Sequence, residues 1–419
     1  MTQRQDNAAI AIIHPVCCGL DVHKEKISAC LMKIDEQGRE ASEIREFATF
    51  TDELIKLREW LRGSECPIVA MESTGVYWRP VHNVLEHHLE VIVVNARHIK
   101  NVPGRKTDIA DSRWLASLLK HGLLRGSFIP SKDIRQWREL SRQRRKVTES
   151  LSDYKKRVHK LFETANIKIA SVVSDLFGKT GRRLIEQLCD ESASSFSEQA
   201  VAGLACGRLR AKAAELYRSI QGYFEGHHRF QLCSLMRIIT ILESEIGMIS
   251  DRLQLLMKDH DELLGRVAAI PGIGERSAQM IISEVGYHLD SFTDAASFAS
   301  WAGLCPGNNE SAGKRRSGRT AVQKHPFKTI MVEVAWAAVK TKGSYFKDKY
   351  HRLKSRRGAK KAIVAIAHRL VKALFQIIKH GERYRELGEG YLKSRKRTSL
   401  RALRHQAQAM GFQLVPVAE

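Results

Sequence analysis

The sequence predicts an α/β head followed by an all-α body within a chain of 419 residues. Three observations predict this division. Short apolar runs alternate with amphipathic helices only in the first 130 residues, heptad-spaced apolar residues follow them, and the two parts differ in charge. Residues 1–125 carry 17 Lys plus Arg and 17 Asp plus Glu, so the formal net charge of +23 lies entirely in the rest of the chain. With 43% hydrophobic residues, a chain of this length can bury two or three cores.

A pair of strands opens the predicted head. Residues 16–23 and 27–34 are apolar runs, and the second run ends in a turn-like Asp-Glu-Gln-Gly segment, so we expect a β-hairpin. Residues 43–50 predict a third strand. Thr51 is then expected to cap an amphipathic helix whose leucines recur on one face.

The second half of the head predicts parallel strands. Residues 67–71 are wholly apolar, which indicates a buried strand that delivers Glu72 at its carboxyl end. A Ser-Thr-Gly turn and a helix follow, and then a strand at 89–95 and a helix at 106–119. Three antiparallel strands followed by helix, strand, helix, strand and helix form the order of a ribonuclease-H-like mixed sheet, which we expect over residues 1–130.

Four acidic residues occupy notable positions in this head. Asp21 lies within the first strand, Glu72 ends the fourth, and Asp108 and Asp111 are three residues apart on one face of the last helix. Burial of an unpaired carboxylate is costly, and a divalent metal ion removes that cost. Because oxygen ligands suit Mg²⁺, and two such ions can serve phosphoryl transfer, the four acids predict a magnesium site. The alternative for each acid alone is a solvated strand end or an acid favoured by the helix dipole.

Two heptad patterns predict a long helical pair over residues 131–262. Apolar residues recur at alternating steps of four and three in both patterns. The first pattern comprises Val147, Leu151, Tyr154, Val158 and Leu161, and the second Leu235, Ile239, Leu242, Ile246, Ile249, Leu253 and Leu256. We expect an antiparallel coiled coil or a dimerising arm. An insertion at about 166–228, with short amphipathic pieces such as 204–223, interrupts it, and the sequence assigns the insertion no role.

A glycine-rich turn lies near the start of the predicted C-terminal domain, residues 263–385. The segment Ile-Pro-Gly-Ile-Gly at 270–274 lies between two amphipathic helices, as in a helix-hairpin-helix. Gly272 and Gly274 would let the backbone approach a phosphate, which the amides of the following helix start would face. The alternative is a plain glycine-rich helix turn. Further helices are predicted at 292–304, 329–339 and 360–379.

A polar loop in this domain carries the nucleophile candidate. Residues 305–319 are rich in cations beside Ser311 and Ser317, and we expect them to be flexible. A serine attacks phosphorus only if its proton is removed and the developing charge is neutralised, which Lys, Arg and a metal ion can do. Turn serines are far commoner than catalytic ones, so spacing alone gives Ser311 only a small advantage over Ser317. Candidate nucleic-acid contacts in and after the loop are Lys314, Arg315, Arg316, Arg319 and Lys324.

The distribution of charge predicts a nucleic-acid partner. Residues 314–361 contain 16 basic and 2 acidic residues, a density over a long stretch that a merely solvated face does not require. A basic tail is predicted at 386–419. Its segment 393–404 is expected to stay loose until it meets nucleic acid.

Composition excludes several classes of protein. We find no run of about 18 uncharged apolar residues, so no transmembrane helix is expected. Residues 1–15 lack the basic-then-apolar pattern of a secretory signal, and the eight cysteines show neither a Cys-x-x-Cys pair nor zinc-like spacing with histidine. We therefore expect a cytoplasmic protein with no disulfide framework and no zinc module.

Five motifs follow one another along the chain. They are GLDVHK at 19–24, MESTGVY at 71–77, KTDIAD at 106–111, IPGIG at 270–274 and CPGNNESAGK at 305–314. Together they resemble the DEDD transposases of the insertion-sequence family one-ten, and the last motif especially resembles the eleven-eleven subgroup of that family.

This resemblance implies a RuvC-like N-terminal domain, a coiled coil and a C-terminal transposase domain that act as an RNA-guided DNA recombinase. The acids Asp21, Glu72, Asp108 and Asp111 would bind Mg²⁺. Ser311 would attack DNA and form a covalent phosphoserine link before strand exchange through a Holliday-junction-like intermediate. A structured non-coding bridge RNA would pair with target and donor DNA. Dimers would pair into a tetramer in which the acids of one subunit meet the serine of another.

One segment departs from the family pattern. Where the family commonly has Lys-Gly followed by Leu-Arg, this chain has Gln-Lys-His-Pro-Phe-Lys at 323–328. This difference affects the nucleic-acid contacts expected after the serine and any activity that depends on those contacts. It does not affect the assignment of the four acids.

Two rival interpretations use the same residues. A metal-dependent, structure-selective nuclease of the Holliday-junction type needs the acids and a water molecule but no serine. A non-catalytic nucleic-acid-binding scaffold would use the acids as helix caps and strand ends.

Overall fold

The chain folds into two compact units, Met1–Ile129 and Pro130–Glu419. The computed structural model describes residues 11–73, 75–95, 111–190, 197–306, 309–311, 314–317, 320, 325–388, 391 and 400–415, with the backbone alone at 309–311, 314–317, 400–402 and 406. Within these ranges no helix has both the length and the apolar content needed to cross a membrane. The eight cysteines all fall within the described ranges and carry free thiols.

A mixed five-stranded sheet forms the centre of the first unit. Its strands are β1 (Val16–Val22), β2 (Lys26–Ile34), β3 (Glu40–Ala48), β4 (Ile68–Glu72) and β5 (Glu90–Val94), in the order β3-β2-β1-β4-β5. The first three strands are antiparallel, whereas β4 runs parallel to β1 and β5 parallel to β4. The helices described with them are α1 (Thr51–Gly63), α2 (Trp78–Leu85) and α3 (Asp111–Lys120). The mixed sheet with alternating helices that the sequence predicts is confirmed.

Two details of the predicted head are wrong. The third strand is predicted at 43–50 and lies at Glu40–Ala48. Most of its residues are exposed because β3 is an edge strand, so no apolar pattern marks where it begins. Thr51 is predicted as a helix cap, but it is the first residue of α1, and Phe50 occupies the cap position without a side-chain hydrogen bond.

Helices α1 and α2 belong to the larger core of this unit. Leu57 and Leu85 are fully buried there, in the same cluster as Leu20 of β1 and Met71 of β4. This packing explains the strong apolar face of α1, which the sequence predicts from its leucine spacing.

Helix α3 packs against the opposite face of the sheet. Ala116 and Leu119 form a smaller core with Cys17 of β1 and with Ile68 and Ala70 of β4. Side chains alternate between the two faces along a strand. The odd-numbered positions of β1 and the even-numbered positions of β4 therefore lie on the α3 side.

The contact between α3 and β1 is closest at Gly19. A Cβ atom on Gly19 would lie 2.1 Å from the carbonyl oxygen of Ser112 and 2.4 Å from the amide nitrogen of Ala116. Ser112 is fully buried, and its hydroxyl oxygen lies 3.1 Å from that of Ser28. The first turn of α3 thus rests directly on the backbone of the strand, which only glycine at this position allows.

Helices make up most of the described part of the second unit. The described helices are α4 (Lys132–Thr164), α5 (Ile169–Val172), α6 (Lys179–Cys189), α7 (Glu198–Leu204), α8 (Ala213–Ser219), α9 (Gly226–Leu256), α10 (Asp261–Ala268), α11 (Glu275–Val285), α12 (Ala295–Trp301), α13 (Pro326–Ala338), α14 (Tyr345–Arg357), α15 (Ala359–His380) and α16 (Leu400–Ala409), with 3-10 turns at Gly207–Lys212 and Lys258–His260. A hairpin of β6 (Asn309–Ser311) and β7 (Lys314–Ser317) interrupts them. The helical body that the sequence predicts is confirmed apart from this hairpin.

The long helices α4 and α9, of 33 and 31 residues, run antiparallel to each other. Arg144 of α4 donates a hydrogen bond to Ser250 of α9. Farther along α4, Lys155 pairs with Glu243, which lies earlier on α9. The antiparallel helical pair is therefore present, and its supercoiling and its role in dimerisation stay predictions.

This helical pair contributes to two separate cores. Ile134 at the start of α4 and Leu253 near the end of α9 belong to the core of the C-terminal helices. Phe162 near the end of α4 is buried in a second core with Leu184 and Leu216 of the insertion. The insertion therefore folds onto one end of the helical pair and the C-terminal helices onto the other.

The insertion and the tail differ from their predictions. The amphipathic piece predicted at 204–223 is broken, because α7 ends at Leu204 and a 3-10 turn begins at Gly207, whose φ is +58°. The tail is predicted to be loose over 393–404, whereas α16 makes Leu400–Ala409 helical. Residues 392–399 lie outside the described part of the chain.

The C-terminal helices differ in length and number from the predictions. The helix predicted at 292–304 is shorter and begins after Asp294, whose side chain accepts two backbone hydrogen bonds. Helix α14 is not predicted by the sequence. Its composition is strongly basic, and only Tyr345, Phe346 and Tyr350 are buried along it, so its apolar face is too sparse to detect.

A buried carboxylate joins α11 to α4. The Glu284 side chain is 4% exposed and accepts hydrogen bonds from Arg142 at 2.7 and 2.9 Å. Arg138 lies 3.5 Å from the same carboxylate and donates to the Glu284 backbone oxygen at 2.5 Å. Nearby, Arg144 donates to the Gln279 side chain at 2.8 Å, and burial lowers the pKa of the Arg144 guanidinium to about 10.

Replacement of Gly19 by Ala should destabilise the first unit, because the new methyl group would meet helix backbone that cannot move aside without displacing α3. We expect a loss of at least about 1–3 kcal/mol in the free energy of unfolding, measured by urea denaturation. Gly63→Ala is the matched control, since a Cβ atom there has no neighbour within 4 Å. Equal stability of the two variants would contradict the close contact.

Replacement of Glu284 by Gln should destabilise the second unit by about 2–3 kcal/mol. This is less than the full cost of breaking a buried ion pair because the Arg142 side chain is 43% exposed. Glu149→Gln serves as the control, because Glu149 is 49% exposed and such a surface ion pair contributes at most about 1 kcal/mol. Thermal unfolding of both variants measures the difference, and a smaller effect at Glu284 than at Glu149 would refute it.

Candidate active site

Two of the four predicted acids lie side by side on the sheet. The register of the parallel strands β1 and β4 pairs Leu20 with Met71. Asp21 and Glu72 are the next residues on the two strands, and Glu72 is the last residue of β4. The two acids therefore stand at the same level, at the carboxyl ends of parallel strands.

Both acids also belong to the same face of the sheet. Asp21 has the parity of Cys17 on β1, and Glu72 has the parity of Ala70 on β4. Cys17 and Ala70 pack in the core beneath α3. Asp21 and Glu72 thus lie on the face that α3 covers, beyond the apolar residues of that core.

The third acid begins the helix that covers this face. Asp111 is the first residue of α3 and is exposed. Ser112, its neighbour, contacts Ser28, and Ser28 is the register partner of Asp21 between β1 and β2. The start of α3 therefore lies at the strand end that carries Asp21. The fourth acid, Asp108, falls outside the described residues.

Asp21 has a partner that the sequence analysis does not single out. The Nε2 atom of His23 lies 3.1 Å from Oδ2 of Asp21. The Asp21 side chain is 26% exposed, whereas that of His23 is 62% exposed. The available signal was spacing, since residues two apart at a strand end lie on one face. His23 can orient the Asp21 carboxylate while both remain open to solvent.

The donor atoms at these strand ends suit a hard divalent cation. Asp21, Glu72 and Asp111 offer carboxylate oxygens, which are the ligands that Mg²⁺ prefers. Within the described ranges, the ligand atoms of Glu225, His227 and His228 lie within 4.8 Å of one another. Asp21, Glu72 and Asp111 do not form so tight a group. Their donor type and their shared end of the sheet, rather than a closed cluster of ligand atoms, are therefore what suits them to a metal ion.

The segment that carries Ser311 forms a β-hairpin rather than an irregular loop at its paired residues, and its flexibility stays a prediction. Ser311 pairs with Lys314 and Glu310 with Arg315, with an irregularity next to Asn309. Charged and amide residues are poor strand formers, so the sequence does not predict these strands. Ser311 and Lys314 form the last pair before the turn, so a residue with a cationic side chain stands opposite the serine.

The other cations predicted to bind nucleic acid near the serine fall in and beyond this hairpin. Arg316 and Ser317 complete β7 after Arg315. Arg319 and Lys324 fall outside the described residues. The alternative serine, Ser317, pairs with Asn309 at the far end of the hairpin from the turn.

Contacts at the base of the hairpin join it to the helical core. Pro306 and Thr320 form an antiparallel bridge just outside the two strands. Lys328 of α13 donates a hydrogen bond to the Thr320 hydroxyl at 3.0 Å. His325, the residue before α13, packs edge-on against Trp301 of α12 with the ring centroids 4.5 Å apart. These contacts fix the position of the hairpin base relative to α12 and α13.

His325 is a second residue that the sequence analysis does not assign a role. Burial is the largest cause that lowers the pKa of its imidazole. The Glu284 carboxylate raises this pKa, whereas the cations Arg138, Arg142 and Lys328 lower it further. Its Nδ1 atom is buried and has no hydrogen-bond partner among the described residues. The imidazole is therefore neutral at pH 7 and can accept a hydrogen bond.

The glycine turn between α10 and α11 is in close contact on one side and open on the other. Gly272 has a φ of +85°, and a Cβ atom there would lie 2.3 Å from the amide nitrogen of Ala338 on α13. Gly274, at the start of α11, is exposed and has no neighbour within 4 Å of such an atom. The backbone at Gly272 thus packs closely against α13, whereas the sequence predicts an approach to a phosphate. The side of the turn that is open to a ligand is at Gly274.

Comparisons with known proteins match both units. The family model for DEDD transposases of the IS110 type, described as a transposase, matches residues 18–167, and the model described as "Transposase IS116/IS110/IS902 family" matches residues 265–351. The putative transposase y4pF/y4sB of Sinorhizobium fredii (strain NBRC 101917 / NGR234) is 31% identical over 138 residues, which are 31% of this chain and 35% of that protein. The chain thus spans about a third of the length of this curated relative.

The two family models agree with the geometry described above. The first covers the strand ends with Asp21 and Glu72 and the start of α3, and the second covers the glycine turn and the serine hairpin. The two matches together include more than half of the chain and follow the order of the two units. The chain belongs to the IS110 family of insertion-sequence transposases.

Proposed function

We propose that this protein is a DNA recombinase that cuts and rejoins the strands of an insertion sequence, with a metal site in its first unit and a serine nucleophile in its second. The observation that carries the proposal is that Asp21 and Glu72 stand at one level on adjacent parallel strands, under the helix that begins with Asp111. The membership of the transposase family supports the reaction class.

The acids Asp21, Glu72, Asp108 and Asp111 would hold Mg²⁺. The bound ion supplies positive charge that stabilises the phosphate as it changes partners. The chain itself holds two of the carboxylates on rigid strands, which limits how far they can move apart. His23 acts as a positioning residue through its contact with Asp21.

Ser311 is the nucleophile of this proposal. Its hydroxyl oxygen forms a bond to the phosphorus of a DNA phosphodiester, the bond from phosphorus to one deoxyribose oxygen breaks, and the serine proton leaves to a nearby acceptor as the departing sugar oxygen gains one. Attack by a hydroxyl of another strand on the phosphoserine reverses these changes and joins DNA. Lys314, opposite Ser311 in the hairpin register, supports the assignment because a cation offsets the charge of the crowded phosphate.

Nucleic acid binds to the basic second unit. The contacts that we assign to DNA or RNA are those of the glycine turn on its open side at Gly274, since Gly272 packs against α13, and those of Lys314, Arg315, Arg316, Arg319 and Lys324. In this proposal a structured bridge RNA pairs with target and donor DNA, so the protein needs to hold only backbone and shape. The net charge of +23 supports a polyanionic partner.

We further propose that dimers pair into a tetramer, in which the acids of one subunit meet the serine of another. The location of the acids and of the serine in two different compact units supports this division. A second candidate function is a structure-selective nuclease. It is favoured by the same observation on the acids, since strand-end carboxylates and an activated water suffice for cleavage.

Replacement of Ser311 by Ala should abolish strand joining and the covalent protein–DNA adduct, with a loss of at least about 1,000-fold in the rate of adduct formation. Denaturing gel electrophoresis of the protein with labelled donor DNA and its RNA measures the adduct. The control is Ser317→Ala, in the same hairpin, which should retain activity. Undiminished DNA cleavage by the Ser311 variant would favour the nuclease instead.

Replacement of Asp21 by Asn should lower Mg²⁺-dependent DNA cleavage by more than about 100-fold while DNA binding is preserved, because the amide keeps the shape of the side chain and loses its charge. Cleavage and gel-shift assays on the same protein separate the two effects. Asp52→Asn, at the exposed start of α1, is the control and should change neither. If the Asp21→Asn variant keeps both DNA cleavage and DNA binding, the protein is a binding scaffold and the proposed mechanism fails.

A further inference from the structure

A groove lies between α4 and α9 close to the insertion, apart from the residues used above. Its volume is about 470 Å³. Leu161 and Leu235 form an apolar floor, Arg157 and Lys160 of α4 line one side, and Phe230 of α9 lines the other. The groove therefore combines a flat apolar ring with two cations.

The aromatic side of the groove is unusually exposed. The Phe230 side chain is 71% exposed on a helix that buries other apolar residues. Tyr223, which is 81% exposed, belongs to the same end of the helical pair, because its amide donates a hydrogen bond to the carbonyl oxygen of Ala165, the residue after α4. Two large exposed rings at the same end of the helical pair are typical of a surface that binds a partner.

The cationic side of the groove is not neutralised. The nearby acids Asp153 and Glu163 each pair with another lysine, Lys156 and Lys168 respectively. Within the described ranges neither Arg157 nor Lys160 forms an ion pair. The Arg157 guanidinium lies over the Tyr154 ring, 4.7 Å from its centroid, which leaves its charge without an acidic partner. Both positive charges can therefore attract an anion.

A partner for this groove must be anionic and must present a flat apolar face. The same groove of a second copy does not fit, because Arg157 and Lys160 would then face their own counterparts, and a dimer or tetramer would therefore use other surfaces. A nucleic-acid duplex does not fit either, since its bases are stacked inside and cannot reach Phe230. Unpaired nucleotides satisfy both requirements, with the base on the ring and phosphates on the cations.

The remaining lining favours RNA over DNA. Thr164, Gln231 and Ser234 add hydroxyl and amide groups to the walls of the groove. Such groups can form hydrogen bonds with the 2′-hydroxyl, which only RNA carries. We propose that this groove binds unpaired nucleotides of an RNA, with a base stacked on Phe230 and phosphates bound by Arg157 and Lys160. The proposal rests on the proposed function, which requires an RNA partner.

Fluorescence anisotropy of the full-length protein with a labelled, unstructured single-stranded RNA tests the stacking contact. The titrations are made without Mg²⁺, so that no strand is cut. Phe230→Ala should weaken binding about tenfold, within the range for loss of one base stack. Ile241→Ala, on the same helix, 61% exposed and outside the groove, is the control and should stay within about twofold.

The salt dependence of the same titrations tests the cationic contacts. Each phosphate contact on a single strand contributes about −0.7 to the slope of log affinity against log salt, so the double variant Arg157→Ala with Lys160→Ala should flatten the slope by about 1.4. The control is Lys146→Ala with Lys156→Ala, two exposed lysines of α4 outside the groove. An equal change in the control would overturn the assignment.

Other outcomes also decide the proposal. Unchanged RNA affinity of Phe230→Ala overturns it, as does equal or tighter binding of DNA of the same sequence. A variant that loses self-association in sedimentation but keeps its RNA affinity assigns the groove to a second copy. If the unaltered protein binds no RNA at all, the RNA guidance in the proposed function fails. If it binds RNA and the groove variants do not matter, only the groove proposal fails.

Discussion

The contact of α3 with the backbone of β1 at Gly19 is the constraint on which the candidate metal site depends. Backbone atoms of Ser112 and Ala116 occupy the space that any side chain at Gly19 would need. A helix that rests on a strand with no side chain between them has little freedom in its height above the sheet. Asp111 begins that helix, and Asp21 lies two residues beyond Gly19 on the strand. The packing of one glycine thus sets how the helical acid approaches the acids of the sheet.

Much of the head could be predicted because buried strands and helix faces require apolar residues at regular positions in the sequence. Strands covered on both faces, such as β4, are continuous apolar runs, and an acid directly after such a run must lie at a strand end. The level shared by Asp21 and Glu72 then follows from parallel pairing alone. Edge strand β3 and helix α14 expose most of their residues, and their boundaries left no comparable pattern.

The parts of the site that could not be predicted depend on contacts between distant segments. His325 follows a segment without a clear pattern, and its pKa is lowered first by burial and then by Arg138 and Arg142, which are far away in the sequence. The β-hairpin of Ser311 is built from residues with low strand propensity, and its pairing is accompanied by a bridge between Pro306 and Thr320 at its base. Sequence patterns report the local periodicity of apolar residues, and these features do not arise from it.

The long helical pair also has a mechanical meaning. Helix α4 contains neither proline nor glycine and, at 33 residues, is about 50 Å long. One end is gripped by the core of the insertion and the other by the core that includes α11 to α13, to which the Arg142–Glu284 pair adds a clamp. Such a strut does not absorb strain at a hinge. A displacement of the insertion at one end of α4 would therefore be passed along the helix to α12 and α13, which hold the base of the serine hairpin.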